Sequence, residues 1–358
     1  MCVYLKSPND KSSRIKGYKQ KNGKQTGAVL VMVIMIVALV AGLSIKFAGD
    51  YQLGLIRAEA RWHGAQARAY LFSGEGAAIK FLATDDANAD YPEELWGQAV
   101  PIELPDNMGN LMIRIEDANS RFNLNSLMGS LDPAKGSQEP TRYTPSQRMF
   151  IRLLQTFPSV DDPNMPLLSG PDEAVAILEA IVDWTDADKM PAGSGGAEDD
   201  YYLSQPDPYQ AANMPFRSID ELQMVRGVSP QLMKALRPFL GALEPSERLN
   251  INTMAGPLFR CINVATDLTP LSQSQADALK AEKPSNGFYT NMSDFDTAWN
   301  KVSGASGGNV DKELNVNTKY FWLTTLVQIG DQRRVGRSLL LRGSPAFKVV
   351  RREEGSTE

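Results

Sequence analysis

Residues 28–45 read AVLVMVIMIVALVAGLSI, and no charge interrupts them until Lys46. At about 1.5 Å per residue this run makes about 27 Å of helix, enough to cross the hydrocarbon core of a bilayer. It is apolar all round, unlike the surface helix of a soluble domain, which is apolar on one face only. The leader ahead of it carries Lys6, Lys11, Arg14, Lys16, Lys19, Lys21 and Lys24 against Asp10 alone. That basic excess puts the N-terminus on the cytoplasmic side and sends the rest of the chain across the membrane. The junction is Gly27-Ala28. A secretory signal is cut after its apolar core, whereas this small-residue site precedes the core, and cleavage here keeps the helix on the mature chain. An uncut signal anchor fits the same stretch.

The 358 residues suffice for two folded units besides the membrane helix. The net charge of −5 hides an asymmetry: the leader carries +6, leaving −11 from Ala28 onward. An acidic ectodomain disfavours nucleic acid and anionic lipid as partners and suits cations. Of the two cysteines, Cys2 lies in the leader, so a processed chain keeps Cys261 alone and forms no internal disulfide. His63 is the only histidine, which makes a Ser/His/Asp or Cys/His hydrolase site improbable.

Beyond the membrane run the helical pattern continues without proline to about Leu82, with Leu55, Trp62, Ala65, Ala69, Phe72, Ile79 and Leu82 recurring at helical spacing. A turn-rich passage follows from Asp85 to Asn110. Leu111–Ile115 then alternates as a strand, and so do three segments of one shape: Phe122-Asn-Leu-Asn-Ser126, Leu249-Asn-Ile-Asn-Thr253 and Leu314-Asn-Val-Asn-Thr318. Alternation predicts half-exposed strands with the asparagines on the polar face. Tyr320–Ile329, Arg333–Leu341 and Phe347–Val350 predict an antiparallel meander turning at Gly330-Asp331, and the charged tail 351–358 is expected to be disordered. A long N-terminal helix on a C-terminal antiparallel sheet is the α+β architecture of pilins.

Residues 127–248 change to a helical pattern, with amphipathic runs at Ser146–Phe157 and Asp172–Trp184. Pro270–Phe295 forms a looser helical pair within 249–350. Ile219–Leu240 resembles a helix-hairpin-helix. Its turn, Arg226-Gly227-Val228-Ser229, holds one glycine, and in an acidic ectodomain it reads as a packing unit before a DNA site.

Asp183-Trp-Thr-Asp186-Ala-Asp188 leaves the end of a predicted helix, and a glycine-rich span leads back to Glu198-Asp199-Asp200. Carboxylates brought together repel unless a cation joins them. With no cysteine or histidine nearby, zinc is disfavoured, and many oxygens on a flexible loop favour calcium over magnesium. A solvated acidic loop that caps helices is the alternative reading.

The basic leader, the Gly27-Ala28 junction and the uncut helix together resemble type IV prepilins and pseudopilins. The pattern Asp183-Trp-x-Asp-x-Asp188, Gly196-Ala-Glu-Asp199, Tyr201-Tyr202, Ala211-Ala-Asn213 and Glu221-Leu to Val225-Arg-Gly227, with the Asn-x-Asn segments, resembles the K-type minor pseudopilins (GspK) of type II secretion. The group pattern places glutamate at the fifth mature position; here it is Met32, a departure shared with the K type. The resemblance implies cleavage by a prepilin peptidase at Gly27, methylation of Ala28, and a non-catalytic place at the tip of the inner-membrane pseudopilus, with a periplasmic C-terminal domain beside minor pseudopilins of the I and J types. It also implies calcium held by Asp183, Asp186, Asp188, Glu198 and Asp199, with Asn213 a further candidate. The expected organisation is a leader (1–27), a transmembrane helix (28–45), pilin helix and first strands (46–126), an all-helical insertion (127–248), remaining strands with a helical excursion (249–350) and a tail (351–358). The competing readings are a DNA-uptake or type IV pilus minor pilin and a membrane-anchored, metal-dependent hydrolase.

Overall fold

The structure, a computed structural model, describes residues 26–159, 162–303, 310–311, 313–343 and 346–355; the leader up to residue 25 and tail residues 356–358 lie outside them. Helix α1 (Thr26–Leu82) contains no proline to break its hydrogen-bond ladder. The chain divides at Trp62–His63 into two compact units. In the first, residues 27–59 are all exposed, and an 18-residue window reaches a mean hydropathy of 3.0, long and apolar enough to span a membrane.

In the second unit α1 buries Gly64, Ala67, Leu71, Gly74, Glu75, Ala78 and Leu82, spaced three and four apart. This stripe differs from the one expected: Trp62 and Phe72 are exposed, as are Ala65 and Ala69. Small residues were chosen for contact because the helix lies close on the sheet. A Cβ added at Gly74 would stand 2.8 Å from Thr325 Cγ2.

The β-structure comprises β1 (Val100–Glu103), β2 (Gly109–Asp117), the two-residue segments β3 (Phe122–Asn123), β4 (Leu240–Gly241), β5 (Leu249–Asn250) and β6 (Leu314–Asn315), and the long β7 (Tyr320–Ile329), β8 (Gln332–Leu341) and β9 (Lys348–Gly355). The main sheet is antiparallel throughout, in the order β1-β2-β7-β8-β9. Gly330, at φ 53°, opens the two-residue turn between β7 and β8. Alternation sends Leu111, Ile113, Ile115, Phe321, Leu323 and Val327 to one face, against Ala67, Leu71 and Ala78 of α1. Tyr320, Trp322 and Leu339 point to the other face, where Ala118 and Leu243 cover them.

Three expectations are corrected here. The turn-rich passage contains β1, whose Pro101 sits at the sheet edge, where a missing N–H is tolerated. The tail expected as disordered continues β9 to Gly355, with Leu339 opposite Arg351 and Gly336 opposite Glu354. Two of the three Asn-x-Asn segments, at 122–126 and 249–253, do not put their asparagines on a half-exposed face, whereas the segment at 314–318 keeps Asn315 and Asn317 half-exposed as expected. The segments form parallel pairs only two residues long, β3 with β4 and β5 with β6. Asn123, Asn125, Asn250 and Asn252 are buried. Asn125 donates from Nδ2 to Phe216 O (3.0 Å) and Leu243 O (2.8 Å) and accepts from Phe216 N (2.7 Å). Asn252 does the same between Tyr289 and Val316. These amides substitute for a longer ladder, satisfying backbone groups of distant segments in a dry interior.

The helical body consists of α2 (Pro145–Leu154), α3 (Pro171–Thr185), α4 (Asp199–Leu203), α5 (Pro230–Leu236), α6 (Gly256–Phe259), α7 (Gln273–Ala281) and α8 (Met292–Ser303). One core joins them, reaching from Phe122 through Ile181 and Leu258 to Val316. Caps set the starts: Thr144 and Gln147 form a capping box before α2, and Pro171 occupies the first turn of α3. In the Ile219–Leu240 unit the first element is a 3₁₀ turn, Ile219–Met224, in place of the expected helix. Leu222, Val225, Leu232 and Leu236 of this unit point into the core, as a packing unit requires.

Candidate metal centre

The last two turns of α3 carry Glu179 and Asp183, both buried, and both bind the loop that follows. Glu179 Oε2 accepts from Gly195 N (2.8 Å), while Oε1 pairs with Arg142 (2.9 Å). Asp183 Oδ1 accepts from Ala192 N (2.8 Å) and Oδ2 from Ala197 N (2.7 Å). The loop therefore lies flat against α3, and glycine is obligatory where it touches: a Cβ at Gly195 would stand 2.3 Å from Ala176 Cα. Burial pushes the Asp183 carboxyl up to about 6 despite its two amide donors.

This strapping returns Glu198 to the end of α3. Asp186, Asp188 and Glu198 each place a carboxylate oxygen within 4.8 Å of the others. Asp186 Oδ1, both oxygens of Glu198 and Asn213 Oδ1 are buried without a hydrogen-bond partner. Asn213 takes φ 48°, and its N–H donates to Trp184 O (2.9 Å) at the end of α3. Asp188 is exposed and accepts from Met190 N (2.8 Å). Burial, then the charges of Asp183, Asp186, Asp188 and Asp199, drives Glu198 up to about 7. Burial and Asp188 raise Asp186 as well.

Two residues of the expected set are used otherwise. Asp183 spends both oxygens on loop amides, and Asp199 pairs with Lys189 (3.0 Å) and Ala211 N (3.2 Å), the lysine holding its carboxyl below the usual range. What converges is Asp186, Asp188 and Glu198. Orphaned buried carboxylate oxygens are costly unless a cation meets them. The donors are oxygens only, since Cys261 lies in the helical core and His63 on α1, so the arrangement suits a hard cation.

A second trio, Asp85, Asp90 and Glu94, also lies within 4.8 Å and was missed by sequence reasoning, although the run DDANADYPEE from 85 to 94 signals it. Its oxygens already have partners. Asp90 receives Arg342 Nη1 (2.7 Å), Nη2 (2.8 Å) and Thr318 N (2.7 Å). Asp85 receives Arg342 Nη2 (2.8 Å), and Glu94 receives Tyr91 N and Trp96 Nε1. Arg342 supplies the positive charge here.

A membrane-length helix that continues onto an antiparallel sheet, with a helical body and a cation-ready loop, defines a pilin-type protein with an enlarged globular region. The family described as "Type II secretion system (T2SS), protein K" matches residues 120–245, the part of the helical body from α2 to α5 with the short strands β3 and β4. Type II secretion system protein K of Aeromonas hydrophila is 31% identical over 341 residues, covering 94% of this chain and 98% of the relative. The Pseudomonas aeruginosa protein of the same name is 32% identical over 346 residues, covering 92% and 93%. The fold also matches a chain of the GspK-GspI-GspJ complex from the enterotoxigenic Escherichia coli type 2 secretion system. The TM-score is 0.61 at 23% identity, over 84% of this chain and all of that one. The chain belongs to the type II secretion system protein K family. It is a non-catalytic pseudopilin of protein secretion.

Proposed function

We propose that this pseudopilin forms the tip of the inner-membrane pseudopilus and starts its assembly, with I- and J-type minor pseudopilins beneath it. Met32 in α1 carries this reading. In pilin-type assembly a subunit enters from below and offers the carboxylate of its fifth mature residue to the ammonium N-terminus of the subunit above. A buried ion pair broken on one side costs about 3–5 kcal/mol. Met32 offers no carboxylate, so this chain is a poor addition under another subunit and loses nothing as the first. The domain-sized insertion, 127–248, is a second obstacle to repetition along a tightly wound shaft. The solved relative's assembly with GspI and GspJ supports the choice of partners.

Processing follows the same logic. A prepilin peptidase cuts between Gly27 and Ala28, Ala28 is methylated, and residues beyond the membrane helix face the periplasm. Calcium occupies the loop, held by Asp186, Asp188 and Glu198 with Asn213 Oδ1; Asp183 and Asp199 shape the loop around it. The ion would neutralise the buried carboxylates and fix the return of the loop onto α3. The test is co-purification of the full chain in detergent with I- and J-type pseudopilins. A complex of all three on a sizing column is expected; persistent elution of this chain alone would refute the partnership.

A further inference from the structure

The sheet face turned away from α1 carries a cleft of about 300 Å³ lined by four arginines: Arg121, Arg237, Arg337 and Arg351. Strand register builds it. Arg337 on β8 lies opposite Glu353 on β9, and Arg351 lies opposite Leu339, which in turn faces Trp322 on β7. Both guanidiniums rest on the Trp322 ring, 3.9 Å (Arg337) and 4.8 Å (Arg351) from its centroid. Arg237, just after α5, closes the cleft from the helical body.

The positive charge is poorly neutralised. Only Asp220 and Glu353 bring carboxylates to the lining. Asp220 is taken by Arg237 (2.5 Å). Arg351 Nε stands 3.2 Å from Glu353 Oε1 but is out of line for a hydrogen bond, so its buried N–H has no acceptor. Arg121 reaches a carboxylate only at 3.9 Å, on Glu116. Arg337 has no ion pair among the described residues; burial, and then Arg121 beside it, hold its pKa below the usual guanidinium range. Three carboxylates, Asp220, Glu353 and Glu116, thus stand against four guanidiniums, and the positive excess left at Arg337 stands out within residues 28–358, whose net charge is −11.

We propose that this cleft is a docking site for an acidic segment of a partner protein, whose carboxylates seat on Arg121, Arg337 and Arg351 against the Trp322 wall. The guanidinium fork matches a carboxylate with two parallel hydrogen bonds, which an ammonium cannot do. The size selects the occupant. A single phosphate would leave most of a cleft this size wet, while adjoining acidic side chains of one segment reach several of its arginines at once. The net charge of −11 over residues 28–358 repels such a segment from the rest of the chain and so favours this place.

The test uses the full chain in detergent micelles at low salt, with fluorescein-labelled hexaglutamate followed by anisotropy. Saturable binding is expected, weakened at least tenfold by Arg121→Gln with Arg337→Gln and unchanged by Arg333→Gln on the exposed part of β8. Should the double variant melt early, Arg337→Lys serves alone: it keeps the charge, loses the fork, and should weaken binding severalfold. Equal binding by parent and variants, or no binding by the parent, overturns the proposal. Inorganic phosphate bound more tightly than the peptide also overturns it, in favour of a small-anion site.

Discussion

Arg352 of β9 holds the carboxylate of Glu75 of α1 with two parallel bonds, Nη2 to Oε1 at 2.8 Å and Nε to Oε2 at 2.9 Å. Ser338 Oγ adds a third, to Oε2 at 2.8 Å. Glu75 is the one charged residue in the buried stripe of α1, and this contact draws the last strand onto the sheet. Arg352 lowers the Glu75 pKa from its ordinary 4.5. A depressed carboxylate contributes stability above its unfolded pKa and loses it as pH falls through the folded value. Glu75→Gln should therefore cost about 1 kcal/mol at pH 7, a modest figure because Arg352 is half exposed. The difference between parent and variant should vanish well below pH 4.5, as read by denaturant melts across pH. A cost independent of pH would mean that packing, not charge, holds β9.

Among the described residues, Asp311 is the only carboxylate paired with two buried arginines, Arg148 (2.6 Å from Oδ1) and Arg152 (2.8 Å from Oδ2). Arg152 is fully buried and also donates to the carbonyls of Cys261, Val264 and Asp267. Asp311→Ala leaves two guanidiniums without a counter-charge and should destabilise the helical body by about 3–5 kcal/mol. A loss below 1 kcal/mol in chemical denaturation would show that the carbonyls alone suffice.

Calcium bound only by the folded chain adds about 2.7 kcal/mol at a hundredfold excess over Kd. The melting temperature should fall in chelator and recover with calcium more than with magnesium. Asp186→Ala with Glu198→Ala should abolish the response, whereas Asp199→Ala should only weaken it, since Asp199 is held by Lys189 and an amide. A Tm indifferent to chelator would leave a solvated acidic loop.

The order leader, Gly27, apolar helix predicts a mature chain that begins at methylated Ala28. Intact mass of protein extracted from membranes decides this. A chain beginning at Met1, or beyond Ile45, contradicts it.

Composition alone made α1 legible, because no other element takes eighteen apolar residues and continues without proline. Its buried face was not legible: hydropathy favours Phe72 and Trp62, but close approach to the sheet favours Gly64, Gly74 and Ala78. Alternation located β2 and β7 and the half-exposed asparagines of 314–318, and misread the Asn-x-Asn segments at 122–126 and 249–253. The same pattern serves a half-exposed strand and a chain whose amides bridge buried loops; only the partners, such as Phe216 for Asn125, separate the two. The charges of β9 suggested disorder because the contacts that dock the strand are remote in sequence: Glu75 for Arg352, Arg68 for Glu354 and the Trp322 ring for Arg351. Acid density between 183 and 200 pointed to the loop. Which carboxylates remain free depends on which backbone amides reach them, and spacing does not contain that.

The claim that this chain caps the filament is tested most directly by counting. A label on the insertion, in pseudopili isolated with their minor components, should appear once per filament and at one end only. Labels repeated along the shaft would contradict the account.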